Sequence, residues 1–169
     1  WLPRMPEYPG VFNGALIHSH AVKKFSVFRD KRVLVIGGGN SACDVAVESS
    51  RVAKSVDISW RRGYWIAPKF MMGKPADVFS SRLNWLPQAL WQRLSAISLY
   101  IRNGSNKQYG LPEPEGPLGS HHPTINEDLF YTIRHGKINP RPDIQRLDGD
   151  AVIFKNQDRI VYDTIVACT

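Results

Sequence analysis

Residues 33–46 have the sequence VLVIGGGNSACDVA, in which four aliphatic residues lead directly into three glycines. A continuous apolar run of this kind is typical of a strand that is buried on both faces of a parallel sheet. The spacing of the following residues predicts an amphipathic helix from about Asn40 to Lys54. Residues 55–59, SVDIS, then predict a second strand. The sequence therefore predicts a compact βαβ unit built around the glycines.

The glycines fit the pattern G-x-G-x-x-A, and their place between a strand and a helix is the context that such a pattern needs to bind a dinucleotide. Gly37 would allow the tight turn out of the strand, Gly39 would let a pyrophosphate approach the backbone, and Ala42 would lie at the helix–strand contact. The helix N-terminus offers free N–H groups and a partial positive charge to phosphates. We therefore predict a pyrophosphate site formed by Gly37, Gly38, Gly39, Asn40, Ser41 and Ala42. The alternative is a glycine-rich turn that binds no nucleotide.

The residues after the second strand indicate which dinucleotide is bound. In this fold a carboxylate at the end of that strand bonds the ribose of NAD(H), whereas a nearby arginine favours the 2′-phosphate of NADP(H). Ser59 holds this position and Arg61 and Arg62 follow it, so we predict NADP(H). Trp60 or an arginine could also stack on the adenine. Asp57 as the ribose ligand would favour NAD(H) instead, although strand alternation places it in mid-strand, and a solvated loop is the third interpretation of the two arginines.

Composition and charge exclude several function classes. The 169 residues suit one domain, and the formal net charge is +7. The basic residues are scattered rather than arranged in a stripe with aromatics, so we expect a phosphate ligand and no nucleic acid. No apolar stretch is long enough to cross a bilayer, so we expect no membrane partner. The histidines lack metal-ligand spacing, so we expect no metal, and two cysteines without disulfide spacing fit a reducing, cytoplasmic compartment.

The middle of the chain predicts an insert in the βαβ fold. Residues 60–82 are aromatic, basic and rich in Gly and Pro, which is typical of a functional loop. A helical insert is predicted at about residues 83–103, where apolar residues step by 4, 3 and 4 along the chain. We expect this face to pack in the core rather than to bind a partner or a membrane, and its members are Leu90, Leu94, Ile97 and Ile101.

The last third of the chain predicts a short helix and several strands. Thr124 and Glu127 have the spacing of a capping box at the start of that helix, and Gly136 is placed to end it. Residues 146–169 alternate apolar and polar side chains, with turn signals at residues 148–150 and 155–158, which predicts β-hairpin strands. Residues 164–167 predict another buried strand. The expected fold class is therefore α/β: a Rossmann-like dinucleotide-binding domain with a mostly parallel sheet, a β-hairpin region near the C-terminus and a helical insert.

A second motif, Phe12-x-Gly14-x-x-x-His18, precedes the glycines. With this fingerprint, the chain resembles the NADP-binding domain of a class B flavin-dependent monooxygenase. It is similar both to flavin-containing monooxygenases and to the plant-type members that act on indolic acids. The family often has an aromatic residue four positions after the histidine, where this chain has Val22, and this departure leaves the subfamily open. We expect His18 to hold the segment between domains rather than to take part in the chemistry.

The resemblance implies a larger enzyme. Residues 1–28 would be a linker that carries the fingerprint, residues 29–169 the NADP-binding domain, and the FAD domain would lie outside the chain on both sides. NADPH would reduce that FAD, and O2 would then be used to oxygenate a small-molecule substrate. The chain has no second glycine fingerprint, so we expect it to bind NADP(H) but not FAD and to be inactive alone, with no catalytic residue assigned. The alternatives are the NADP(H)-binding domain of another two-dinucleotide flavoprotein reductase, or a non-catalytic NADP-sensing or interaction module.

Overall fold

The computed structural model describes residues 5–71, 73–75, 87–120 and 122–168. In chain order its elements are β1 (Ala15–His18), β2 (Arg32–Ile36), α1 (Asn40–Ser49), β3 (Ser55–Ser59), β4 (Ile66–Ala67), β5 (Phe70–Met71), β6 (Lys74–Pro75), α2 (Gln88–Asn103), β7 (Thr124–Ile125), α3 (Asp128–Arg134), β8 (Ile138–Arg141), β9 (Ile144–Asp148), β10 (Ala151–Phe154), β11 (Arg159–Val161) and β12 (Thr164–Ala167).

A five-stranded sheet with the order β1-β12-β2-β3-β8 forms the centre of the fold, and all its neighbouring strands run parallel. Strands β2 and β12 are buried on both faces, as their continuous apolar sequences predict. The antiparallel strands β9, β10 and β11 form a separate three-stranded sheet. The α/β, Rossmann-like class with a mostly parallel sheet and a C-terminal hairpin region is thus confirmed.

Helix α1 lies on one face of the central sheet and buries Ala42, Val45 and Ala46 against it. It ends at Ser49, earlier than the predicted Lys54. The reason is local, because the N–H groups of the residues that follow turn back to the carbonyl of Ser49 (3.1 Å and 2.8 Å) before the chain enters β3. The small residues on this face allow the close helix–sheet approach that the glycine turn at its start requires.

The predicted linker, residues 1–28, contains a strand of the central sheet. Residues 15–18 form β1, which pairs along its whole length with β12 at the edge of the central sheet. Two short 3-10 turns, Ser19–Ala21 and Phe25–Phe28, then return the chain to β2. The part of the fingerprint segment that the structure describes is therefore built into the Rossmann sheet rather than separate from it.

The prediction for the apolar face of the helical insert is wrong. The described part of the insert forms α2, while residues 83–86 lie outside the described residues. Leu90, Leu94, Ile97 and Ile101 are 45–79% exposed, and Leu99 is the buried apolar residue of the helix. The 4-3-4 spacing gave the right element but not its orientation, because periodicity defines an apolar face without saying what covers it. Among the helices of the described residues, none has the length and apolar character needed to cross a membrane.

The predicted capping box at α3 is also wrong. Thr124 lies in the two-stranded pair of β4 and β7, and Asn126 caps the helix instead. Its Oδ1 accepts hydrogen bonds from the first two N–H groups of α3, at 3.0 Å and 2.7 Å. The carboxylate of Glu127 accepts from the N–H of Phe70 at 3.2 Å, outside the helix. Asn serves as well as Thr at a helix start, so the cap lies closer to the helix than the sequence pattern suggested.

Candidate functional site

The glycine turn at the end of β2 has the backbone conformation that the sequence predicts for a strand-to-helix turn. Gly37 has a φ of +127°, which residues with a Cβ rarely adopt, and a Cβ there would lie 2.8 Å from the carbonyl oxygen of Cys168. Its N–H donates to the carbonyl of Ser59 at 3.1 Å. This bond joins the glycine turn to the end of β3, so the two predicted halves of the site are neighbours at the carboxyl edge of the sheet. Dinucleotides bind at this edge in doubly wound folds.

The second and third glycines differ in their surroundings. A Cβ on Gly38 would overlap the ring of Tyr64, and the ring of Trp60 lies close by. Gly39 borders open space, since no atom of the described residues lies within 4 Å of the position of a Cβ. The glycine turn is thus covered on the Gly38 side and accessible on the Gly39 side. A phosphate group of a ligand can approach the backbone of the turn only where the side chain is missing and the space is open.

Helix α1 begins directly after this open position. Its first intrahelical hydrogen bond runs from the N–H of Cys43 to the carbonyl of Gly39 at 3.1 Å. The N–H groups of Asn40, Ser41 and Ala42 belong to the first turn, which has no intrahelical acceptors. Ser41 is exposed and Ala42 is fully buried against the sheet, in agreement with the predicted helix–strand contact. The exposed first turn therefore presents its donors and the positive end of the helix dipole on the open side of the glycines.

Three consecutive residues, the two of β7 and the one after it, hold the glycine turn and α1 in place. The hydroxyl of Thr124 donates to the carbonyl of Gly38 at 2.7 Å. The N–H of Ile125 donates to Oδ1 of Asn40 at 2.7 Å, and the side chain of Asn126 donates to Asp44 at 2.9 Å. Together with Tyr64, these residues support the turn from outside the βαβ unit.

The sequence did not predict that residues 124–126 support the glycine turn. The one available signal was the short stretch at residues 124–126 before a helix, whose spacing indicates capping instead. The roles of these residues depend on bonds to positions more than 80 residues away, such as the 86-residue separation of Thr124 and Gly38. No local pattern encodes such a pairing.

The residues predicted to bind the ribose and adenine separate into a buried pair and an accessible pair. Ser59 is 2% exposed and donates its hydroxyl to the carbonyl of Pro142 at 2.8 Å, and Trp60 is 1% exposed. Trp60 packs edge-on against Tyr64 and has no exposed face, so its predicted stacking on adenine does not fit this structure. Arg61 is exposed and Arg62 is partly exposed, so the two guanidinium groups remain accessible.

Arg62 is linked to the glycine turn through Tyr64. Its Nε donates to the hydroxyl of Tyr64 at 3.3 Å, and its guanidinium lies 5.4 Å from the centre of that ring. The same ring covers Gly38. A cation is therefore held beside the predicted pyrophosphate site by an aromatic ring.

Asp57 is a structural carboxylate within the sheet. It is 3% exposed and accepts hydrogen bonds from Arg141 at 2.7 Å, Tyr162 at 2.6 Å and Asn139 at 2.9 Å. Burial, followed by the charge of Asp57, raises the pKa of Tyr162 above its ordinary value. The side chain is fully engaged by these protein donors, which gives it a role other than that of a ribose ligand.

Cys43 is buried and Cys168 is partly buried, and neither thiol is favoured as a reactive thiolate. Burial raises the pKa of Cys168 to about 11, and burial together with the nearby Asp44 raises that of Cys43. Both are free thiols. A thiolate is the reactive form of cysteine, so these raised pKa values do not favour disulfide-reductase chemistry at this site.

The upstream fingerprint packs against the sheet. A Cβ on Gly14 would lie 2.7 Å from the ring of Phe12 and 2.8 Å from the carbonyl of Asp163, so a side chain at Gly14 would displace the ring. Phe12 packs with the apolar residues between β2, β12 and the three-stranded sheet. His18 ends β1, and its Nδ1 accepts from the N–H of His20 at 3.1 Å. These contacts place Phe12 and Gly14 against the sheet and His18 at the end of β1.

Comparison with known proteins identifies the family of this chain. A family model described as flavin-binding monooxygenase-like matches residues 2–169. The chain belongs to the flavin-binding monooxygenase-like family. It is 36% identical to flavin-containing monooxygenase 1 of Canis lupus familiaris over 160 residues, which are 88% of this chain and 29% of that protein. It is also 36% identical to flavin-containing monooxygenase 5 of Homo sapiens over 166 residues, 92% of this chain and 30% of that protein.

This flavin-binding monooxygenase-like chain therefore spans about 30% of the length of the curated relatives it matches. Among solved structures, a crystal structure of OTEMO in complex with FAD and NADP shares its fold with a TM-score of 0.74 and 17% identity, over 98% of this chain and 44% of that one. Tmm from Pelagibacter sp. strain HTCC7211 matches with a TM-score of 0.53 and 23% identity, over 99% of this chain and 24% of that one. The resemblance inferred from the sequence motifs is confirmed at the level of the family and the fold.

Proposed function

We propose that this chain is the NADP(H)-binding part of an FAD- and NADPH-dependent monooxygenase that oxygenates a small-molecule substrate with O2. The observation that carries the proposal is the glycine turn: Gly37 leaves β2 with a positive φ, Gly39 borders open space, and α1 starts there. Membership of the flavin-binding monooxygenase-like family supports the reaction class. The complex of OTEMO with FAD and NADP supports the choice of cofactors.

In this proposal the residues divide by the part of the nucleotide they hold. Residues 37–42 hold the pyrophosphate through the open side of the turn and the N–H groups of α1. Arg61 and Arg62 hold the 2′-phosphate of the adenosine ribose, because guanidinium groups pair well with phosphate oxygens. Ser59 and Trp60 support these two arginines from the buried end of β3. Bound NADPH supplies the hydride that reduces the flavin of the whole enzyme.

The FAD-binding part, in this proposal, lies outside residues 1–169 on both sides, and the chain alone binds NADP(H) without turning over substrate. The His18 segment holds the two parts together. We also propose a cytoplasmic location, which the two free thiols support.

The choice between NADPH and NADH tests the assignment of the arginines. We expect Arg61→Ala and Arg62→Ala to weaken NADPH binding by about 10- to 100-fold, as the loss of charge-assisted hydrogen bonds does, and to change NADH binding little. Arg29→Ala, an exposed arginine at the opposite edge of the sheet, is the matched control. An equal loss of NADPH and NADH would contradict the 2′-phosphate assignment, and a purified chain carrying one flavin would contradict the proposed division of cofactors.

The exposed face of α2 favours a second candidate function, a non-catalytic NADP-sensing or interaction module. Turnover separates the two candidates. The longer protein that contains this chain should oxidise NADPH with O2 when FAD is bound if the first candidate holds, and should bind NADPH without consuming it if the second does.

A further inference from the structure

A groove of about 420 Å³ lies at the edge of the central sheet where β1 and β12 run side by side. The 3-10 turn Phe25–Phe28 and the residues just before it form its outer wall. This volume is within the range of about 300–1,000 Å³ that small-molecule sites span.

The groove is distant from the glycine turn. Thr164, which lines it, pairs with Val33 at the start of β2, whereas Gly37 follows the other end of that strand. Val33 and Gly37 are four residues apart along the chain, which is roughly 13 Å at 3.3 Å per residue. The groove thus extends from the level of Thr164, at the amino edge of the sheet, to that of Ile17, and none of residues 37–42 lines it.

The interior of the groove is apolar. Ile17 of β1 and Phe28 form its inner part, and Val22 and Val27 border it toward solvent. Val27 is 51% exposed although it belongs to an apolar surface. An apolar ligand that covered these side chains would remove their surface from water, which is the main source of affinity in such pockets.

The mouth of the groove is cationic. Lys23, Lys24 and Lys31 all contribute to its lining and are exposed. None of the three forms an ion pair with another described residue, and no acidic side chain of the described residues lines the groove. Three unpaired cations beside an apolar surface attract a ligand that is itself apolar at one end and anionic at the other.

A polar atom without a partner lies at the sheet side of the groove. Thr164 is 2% exposed, and its hydroxyl has no hydrogen-bond partner among the described residues. Buried hydroxyls are normally bonded, so an unpaired one beside a cavity marks a place where the chain alone does not complete the packing.

We propose that this groove binds a monocarboxylate with an unbranched hydrocarbon chain, of the fatty-acid class. The hydrocarbon chain lies along Ile17, Val22 and Phe28, and the carboxylate faces the three lysines. The proposal is independent of the nucleotide site, because the groove and the proposed nucleotide site share no residue.

Direct binding to dodecanoate tests the chemistry. We expect calorimetric titration of the purified protein to show saturable binding of dodecanoate, with dodecanol and dodecyltrimethylammonium at least tenfold weaker. In the series octanoate, decanoate and dodecanoate, Kd should fall by up to about fourfold for each methylene that the groove covers. Equal affinity for all three head groups, or no dependence on chain length, would contradict the proposal.

Two matched pairs of variants test the location. Val22→Trp fills the groove and should weaken dodecanoate binding at least tenfold, whereas Val11→Trp, at a residue that is 70% exposed and outside the groove, should not. The double substitution of Lys23 and Lys24 by Gln should weaken dodecanoate but not dodecanol, and the same change at Lys107 and Lys137 should change neither. A thermal melt of each variant checks that it is folded. Full binding by Val22→Trp would place the ligand elsewhere and overturn the proposal.

Other occupants give different results. Anionic phospholipid vesicles that bind through the same lysines, with no binding of monomeric dodecanoate, would show a membrane-facing surface instead. Binding by the 169-residue chain but not by the longer protein that contains it would show that another segment covers the groove. Either result would overturn the proposal, and neither would affect the NADPH titrations of the proposed function.

Discussion

The hydroxyl of Thr124 donates to the carbonyl of Gly38 across 2.7 Å, although 86 residues separate them in the chain. This bond ties β7 to the middle of the glycine turn. The ring of Tyr64 also lies against Gly38, so two side chains that the βαβ unit does not contain contact the turn.

Removal of this hydroxyl should loosen the glycine turn. Thr124 is 2% exposed, and Thr124→Val leaves a buried carbonyl without its donor, so we expect a loss of about 1–2 kcal/mol in the free energy of unfolding. NADPH and NADH should both bind more weakly, to a similar extent, because the bond positions the turn rather than the 2′-phosphate. Thr132→Val is the control, since that hydroxyl donates within its own helix to Asp128. If Thr124→Val lowers stability and leaves both affinities unchanged, the positioning role is wrong.

The two later glycines of the turn should respond differently to a methyl group. A Cβ at Gly38 overlaps the Tyr64 ring, so Gly38→Ala should cost about 1–3 kcal/mol of stability through overpacking. A Cβ at Gly39 meets no described atom, and Gly39→Ala should leave the melting temperature unchanged or slightly higher. If the pyrophosphate occupies that space, Gly39→Ala should nevertheless weaken NADPH binding at least tenfold. Wild-type NADPH affinity in Gly39→Ala would exclude this approach of the ligand.

Asp57 should matter for stability and not for nucleotide choice. Asp57→Asn replaces a buried acceptor of Arg141 and Tyr162, and we expect a loss of roughly 1–3 kcal/mol in chemical denaturation. The ratio of NADPH to NADH affinity should stay the same. Asp158→Asn, whose carboxylate is 48% exposed and 3.8 Å from Arg141, should cost about 0–1 kcal/mol. A changed NADPH/NADH ratio in Asp57→Asn without loss of stability would instead favour the ribose-ligand interpretation.

The pair between Arg32 and Asp163 predicts a pH dependence of folding. Hydrogen bonds from Arg32 lower the pKa of Asp163 to about 2, below the value of roughly 3.9 for an unfolded chain. The pair therefore stabilises the fold fully above about pH 4 and loses this contribution as the pH falls toward 2. The free energy of unfolding of Asp163→Asn should differ from wild type at pH 6 and converge with it near pH 2. A constant difference across this range, or the same convergence in the exposed control Asp150→Asn, would contradict the assignment.

The parts of the fold that could be predicted depend on contacts between residues that are close in the sequence. The continuous apolar run of β2, the glycines and the small residues of α1 form one unit whose period and turn chemistry agree. The alternation within residues 146–169 predicted the hairpin strands for the same reason. The family resemblance rested on short motifs of the same local kind, at residues 12–18 and at the glycines.

The failures have a common cause. Ser59 ends β3 and Trp60 follows it, and the directions of their side chains depend on contacts with Pro142 and Tyr64. The exposed face of α2 depends in the same way on what lies beside the helix. Spacing alone contains no information about such neighbours.

By itself, the sequence determined the βαβ unit and the glycine motif, and it predicted a dinucleotide as the ligand of that turn. These depend on backbone preferences and periodicity, which act over a few residues. The tertiary structure decided which polar groups near the turn are already bonded and which are free to act: it buried Ser59 and Asp57, left Arg61 accessible, and brought Thr124 to Gly38. Burial and hydrogen bonding decide whether a side chain can bind a ligand, and both are set by contacts between residues that are distant in the chain.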